Sequence, residues 1–85
     1  MTGSIEYRTA RLFSTLAARL GQRRGAATFV PLPLARQEIA DLVGTTVETA
    51  IRVMSRWQKE GLVETEAKGF LIRDLEALHT IAPEE

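Results

Sequence analysis

The chain has 85 residues, 45% of them hydrophobic and 26% charged, which suits one small globular domain with a single modest core and leaves little room for two. It contains no cysteine, which excludes disulfides, thiolate metal sites and cysteine nucleophiles and fits a reducing compartment. Every apolar stretch is broken within a few residues by Arg, Pro or Gly, well short of the roughly eighteen needed to span a membrane, so a soluble protein is expected.

The formal net charge is zero, but its distribution is uneven: Met1 to Arg36 holds six arginines and one acid, Leu62 to Glu85 two basic residues against six acidic ones. A charged partner responds to the local field more than to the sum, so a basic end can face phosphate. The same arginines would also serve as an ordinary solvated helix face. Met1-Thr2-Gly3-Ser4 lacks a basic segment followed by an apolar one and is no secretory signal. Residues 1–3 are read as a flexible start or a cloning scar, and residues 4–85 as one domain.

Between Ser4 and Gln22, Phe13, Leu16, Ala17 and Leu20 recur at the spacing of one helical face, with Ser4 as a plausible N-cap and Gly21 and Gly25 ending the pattern. Thr28 to Leu34 begins β-branched and aromatic, but Pro31 and Pro33 cannot donate to a ladder, which predicts at best a short edge strand. Arg36 to Val43 is a helix of one to two turns ended by Gly44 in a left-handed turn. Thr45 or Thr46 then caps a longer helix that reaches about Glu60 before Gly61. Its apolar set is Ala50, Val53, Met54 and Trp57; the opposite face carries Glu48, Arg52, Ser55 and Lys59, all polar. Leu62 to Thr65 and Phe70 to Arg73 flank Glu66-Ala67-Lys68-Gly69 as a hairpin with Gly69 at positive φ. Asp74 caps a last helix containing Leu75, Leu78 and Ile81, ended by Pro83.

This order of elements is the winged helix-turn-helix plan, mainly α with a small β hairpin: a three-helix bundle plus a β wing. A small residue, Ala40, stands where two helices cross, and Gly44 four residues later stands in the bend, because a tight turn between crossed helices needs both. Any αα-hairpin satisfies part of that pattern. Trp57 and Phe13 lie on apolar faces and are assigned to the core rather than to stacking on bases. His79, without a partner cluster, is assigned to the surface.

The run Arg36-Gln37-Glu38-Ile39-Ala40-Asp41-Leu42-Val43-Gly44-Thr45-Thr46-Val47-Glu48-Thr49-Ala50-Ile51-Arg52 resembles the signature of the Crp/Fnr family of bacterial transcription regulators, and Trp57-Gln58-Lys59-Glu60-Gly61-Leu62-Val63 is similar to that family's approach to the wing. The resemblance implies a C-terminal winged-helix domain that binds double-stranded DNA. It also implies a cytoplasmic regulator whose sensor and dimerisation helix would precede this segment, with a homodimer and RNA polymerase as further partners and no membrane. It implies base readout by Glu48 and Arg52, whose i, i+4 spacing suits guanine for Arg and cytosine for Glu, although an intrahelical salt bridge has the same spacing. Val47 matches a position that is valine in Fnr-like members and could touch a thymine methyl, while Ile51 replaces the usual small residue and leaves the half-site preference open. Arg36, Gln37, Thr46 and Thr49 match or neighbour phosphate-holding positions, and Ser55 and Lys68 join that set, Lys68 from the wing tip if it is not merely solvated. Ala35 departs from the family's Ser or Thr cap, a loss of about 1 kcal/mol. Arg8 and Arg11 would approach the DNA backbone or face water.

No Gly-rich loop ends in Lys-Ser or Lys-Thr and no histidine pair is present, so neither an enzyme, a metal nor a cofactor is expected. The competing reading is a winged-helix protein-protein interaction module without DNA binding, for which zero net charge and exposed Val47 and Ile51 would speak.

Overall fold

The structure, a computed structural model, describes residues 4–83. The start expected at residues 1–3 lies outside the described residues. Helix α1 spans Ile5–Leu20, and the Ser4 hydroxyl accepts from the Tyr7 N–H at 3.2 Å, as its capping position predicts. Strands β1 (Gln22–Arg24) and β2 (Ala27–Val30) follow as a hairpin turning at Gly25, whose φ is 63°. The strand predicted at Thr28 to Leu34 is therefore shorter and is not an edge. It pairs with β1 on one side and with β4 (Gly69–Ile72) on the other, because Pro31 and Pro33 fall beyond its last ladder residue and remove no donor.

Helix α2 (Arg36–Val43) ends at Gly44 in the left-handed region, φ 78° and ψ 48°, where the Gly44 and Thr45 N–H groups both reach the Ala40 carbonyl at 2.8 and 2.9 Å. Helix α3 (Val47–Lys59) starts after Thr46, the second of the two candidate caps. Strand β3 (Val63–Glu66) pairs with β4, and α4 (Leu75–Ile81) closes the chain under an Asp74 carboxylate that accepts from Ala77 N–H at 3.0 Å. The sheet is antiparallel in the order β1-β2-β4-β3, larger by β1 than the hairpin and short edge strand expected. No described non-glycine residue has positive φ, so the two-residue Ala67-Lys68 turn is not of the primed types. Gly69 does have positive φ, 158°, but that is nearly extended; glycine is required because a Cβ there would strike the Val30 carbonyl where β2 meets β4.

One face of the sheet presents Val30, Val63, Phe70 and Ile72, all fully buried against α1, α3 and α4. Phe13 stands edge-on to both Phe70 and Trp57, with ring centroids 5.0 and 6.3 Å away. The other face pairs Phe29 with Leu71, and charged side chains shield it: the Arg24 guanidinium lies 4.2 Å over the Phe29 ring. Arg24 also binds Glu66 at 3.0 Å and Arg73 binds Glu64 at 2.6 Å, which holds the Arg73 guanidinium above its ordinary pKa.

Ala35 caps α2 without a side-chain bond, as its residue type requires. The other half of a capping box survives, because the Glu38 carboxylate accepts from the Ala35 N–H at 2.7 Å. Ala35→Ser should raise stability by about 0.5 to 1 kcal/mol, seen as a higher melting midpoint. An unchanged midpoint would mean that Glu38 alone satisfies that helix end.

Candidate nucleic-acid interface

Helix α3 is held by its apolar stripe: Ala50, Val53, Met54 and Trp57 are buried, as their spacing predicts. That orientation turns Glu48, Ile51, Arg52, Ser55 and Lys59 outward, with Val47 half-buried beside them. Among the described residues no salt bridge joins Glu48 to Arg52. The ion pairs found there are Arg24–Glu66, Arg73–Glu64 and Arg56–Glu6, none of which uses Glu48 or Arg52, so the carboxylate and the guanidinium of the α3 face both remain open to solvent.

The residues expected at phosphates separate into two groups. Thr46 and Thr49 are occupied with one another at the start of α3: the Thr46 hydroxyl accepts from the Thr49 N–H at 3.3 Å and donates to its Oγ1 at 3.1 Å. Gln37 is turned along its own helix, donating to Asp41 at 2.9 Å, and Lys68 stands exposed at the wing tip. Arg36 and Ser55, by contrast, meet at a cleft of about 410 Å³ that Met54, Gln58 and Lys59 complete. Partial burial holds the Arg36 guanidinium below its ordinary pKa, since desolvation disfavours the charged form.

Arg8 does not simply face water but is half-buried. Its Nε donates to the Val43 carbonyl at 2.8 Å, tying α1 to the carbonyl end of α2 just before the turn, while Arg11 stays exposed and reaches the Tyr7 hydroxyl at 3.3 Å. His79 is exposed as expected. Sequence reasoning passed over Gln58 and Thr65, which join α3 to β3 through a bond from the Thr65 N–H to Gln58 Oε1 at 3.3 Å. No periodicity or motif singles them out, because their partners are set by the docking of the wing.

A short helix, a glycine turn, a second helix with one buried and one outward polar face, and a β hairpin alongside define a winged helix-turn-helix domain. The family model of the Crp-like helix-turn-helix domain matches residues 7–81, and the chain belongs to that family. Electron transport regulator A of Shewanella oneidensis is 39% identical over 79 residues, covering 93% of this chain and 32% of that protein. The transcriptional activator protein FnrA of Stutzerimonas stutzeri shows the same identity and coverage. The crystal structure of reduced CprK in the absence of any ligand superposes with a TM-score of 0.88 at 26% identity, covering 96% of this chain and 39% of that one. The chain thus spans about a third of the length of the curated relatives it matches.

Proposed function

We propose that the chain reads double-stranded DNA in a sequence-specific way, laying α3 in the major groove as the DNA-binding part of a cytoplasmic Crp/Fnr-type transcription regulator. The observation that carries this is the outward face of α3, where Glu48 and Arg52 sit one turn apart with no ion pair between them among the described residues. Arg52 offers a bidentate fork to guanine and Glu48 accepts from cytosine, while the flanking Val47 and Ile51 supply apolar contact to a thymine methyl. Ser55 and Lys59 of the same helix, with Arg36 beside them, suit the sugar-phosphate backbone, with Gln37, Thr46, Thr49 and Lys68 as outlying backbone contacts. The working regulator is a homodimer on two half-sites, with RNA polymerase as a further partner. Among the described residues no helix is long and apolar enough to cross a membrane.

Titrations against a preferred duplex and its base-substituted versions test the reading. Arg52→Ala should cost about 1 to 3 kcal/mol on the preferred site and flatten preference at one base pair. Arg36→Ala should weaken every duplex alike and reduce the slope of log affinity against log salt by about one, because a phosphate contact releases counterions without reading bases. An equal loss on all duplexes for Arg52→Ala removes that residue from readout. If neither substitution alters binding, the protein-protein interaction module becomes the better reading.

A further inference from the structure

We propose that Thr65, on the wing strand, is the positioning residue of a seat for one DNA backbone phosphate formed by Arg36, Ser55 and Lys59. This rests on the DNA reading above and deepens it. The Arg36 guanidinium donates through an Nη to the Thr65 hydroxyl at 2.7 Å, across 29 residues of sequence. Thr65 is itself anchored, since its N–H donates to Gln58 Oε1 at 3.3 Å and it lies opposite Phe70 in the β3–β4 register. One wing residue therefore links the first residue of α2 to the C-terminal half of α3.

The chemistry of that link distinguishes it from its neighbours. Glu64 and Glu66, on either side of Thr65 along β3, each hold an arginine with a carboxylate and neutralise it. Thr65 holds Arg36 with a hydroxyl, which fixes the guanidinium and leaves its charge intact. No acidic residue lines the cleft where Arg36, Ser55 and Lys59 meet, and among the described residues no salt bridge uses Arg36 or Lys59. Among the described residues no carboxylate offsets the burial that lowers the Arg36 pKa. Arg36 keeps four of its five N–H donors in a planar fork that fits the two non-bridging oxygens of a phosphodiester, with a hydroxyl from Ser55 and an ammonium from Lys59 beside it. A held arginine loses less rotamer freedom on binding than a loose one, and Thr65 supplies that saving.

Fluorescence anisotropy of a short labelled duplex of mixed sequence, titrated with the 85-residue chain at several salt concentrations, tests this with Thr65→Val, Thr65→Ser, Arg36→Ala and the double variant Arg36→Ala/Thr65→Val. Thr65→Val should weaken binding roughly threefold to tenfold, the loss expected when one arginine must be ordered during association. Thr65→Ser should bind like the parent chain. In the Arg36→Ala background Thr65→Val should change nothing, because the side chain it positions is gone. Both Thr65 variants should keep the parent melting midpoint, since Thr65 is exposed and valine suits a strand. Parent-like binding by Thr65→Val, or an equal loss with and without Arg36, overturns the positioning role and leaves the DNA reading standing. A parent chain that binds no duplex at low salt overturns the DNA reading itself, and the seat with it.

Discussion

Trp57→Ala should destabilise the domain by about 3 to 5 kcal/mol, the usual cost of emptying a large aromatic site in a core. Trp57 is fully buried on α3, its ring packs edge to face with Phe13, and Phe13 in turn meets Phe70 of the sheet, so the indole joins three layers of the fold. Its Nε1–H also donates to a Glu6 oxygen at 3.1 Å, while the other oxygen of Glu6 binds Arg56 at 3.3 Å. Removing the indole leaves a cavity and breaks one of the two side-chain links from Glu6 of α1 to α3, leaving only the Arg56 ion pair. Small domains hold only about 5 to 15 kcal/mol in total, so a large share of the chain should be unfolded near physiological temperature. Circular dichroism melts and urea titrations check this. A midpoint equal to that of the parent would contradict the packing. Trp57→Phe should cost less, because most of the apolar contact survives and chiefly the bond to Glu6 is lost.

Joining two copies of the chain should raise affinity for a paired site by about 10² to 10⁴, because the second half-site is then engaged at a high effective concentration. A single copy presents one α3 and so one half-site, and its binding at physiological salt should be weak. The dimensions agree with a paired arrangement: the domain measures 33 × 30 × 23 Å, and successive half-sites on one side of the duplex lie roughly 34 to 36 Å apart, so two copies fit side by side. Shifting the half-sites by about half a helical turn should abolish the gain, since the second reading helix would then face away from its groove. Nanomolar binding by a strictly monomeric chain at physiological salt, or a gain indifferent to spacing, would contradict the dimer reading.

Both expectations depend on features that differ in how far they can be read along the chain. The four helices, their caps at Ser4, Thr46 and Asp74, the left-handed Gly44 and the burial of Phe13 and Trp57 follow from residue type and spacing. Each depends on interactions within a turn or two, or on the side of the helix that must leave water. Strand β1 is illegible for the opposite reason. Gln22, Arg23 and Arg24 are polar and exposed, and they form a strand only because β2 is there to pair with. The place of β2 in the middle of the sheet likewise depends on β4, about forty residues away, so two prolines that confine it to an edge in local reasoning prove harmless just beyond its last ladder residue.

The same division runs through the candidate site. Which residues face outward on α3 was determined by the sequence, because an amphipathic helix with a buried Ala50, Val53, Met54 and Trp57 has only one face left to offer. What those charges do was not. Arg8 reaches the Val43 carbonyl across 35 residues, Arg36 reaches Thr65 across 29, and Glu6 receives Trp57 across 51. Arginine and glutamate side chains are long and find partners wherever packing brings another element within reach, so their pairing carries no local signature. Only the tertiary structure decided that Glu64 and Glu66 are neutralised, that Glu48 and Arg52 form no pair with each other, and that the wing grips Arg36 with a hydroxyl rather than a carboxylate.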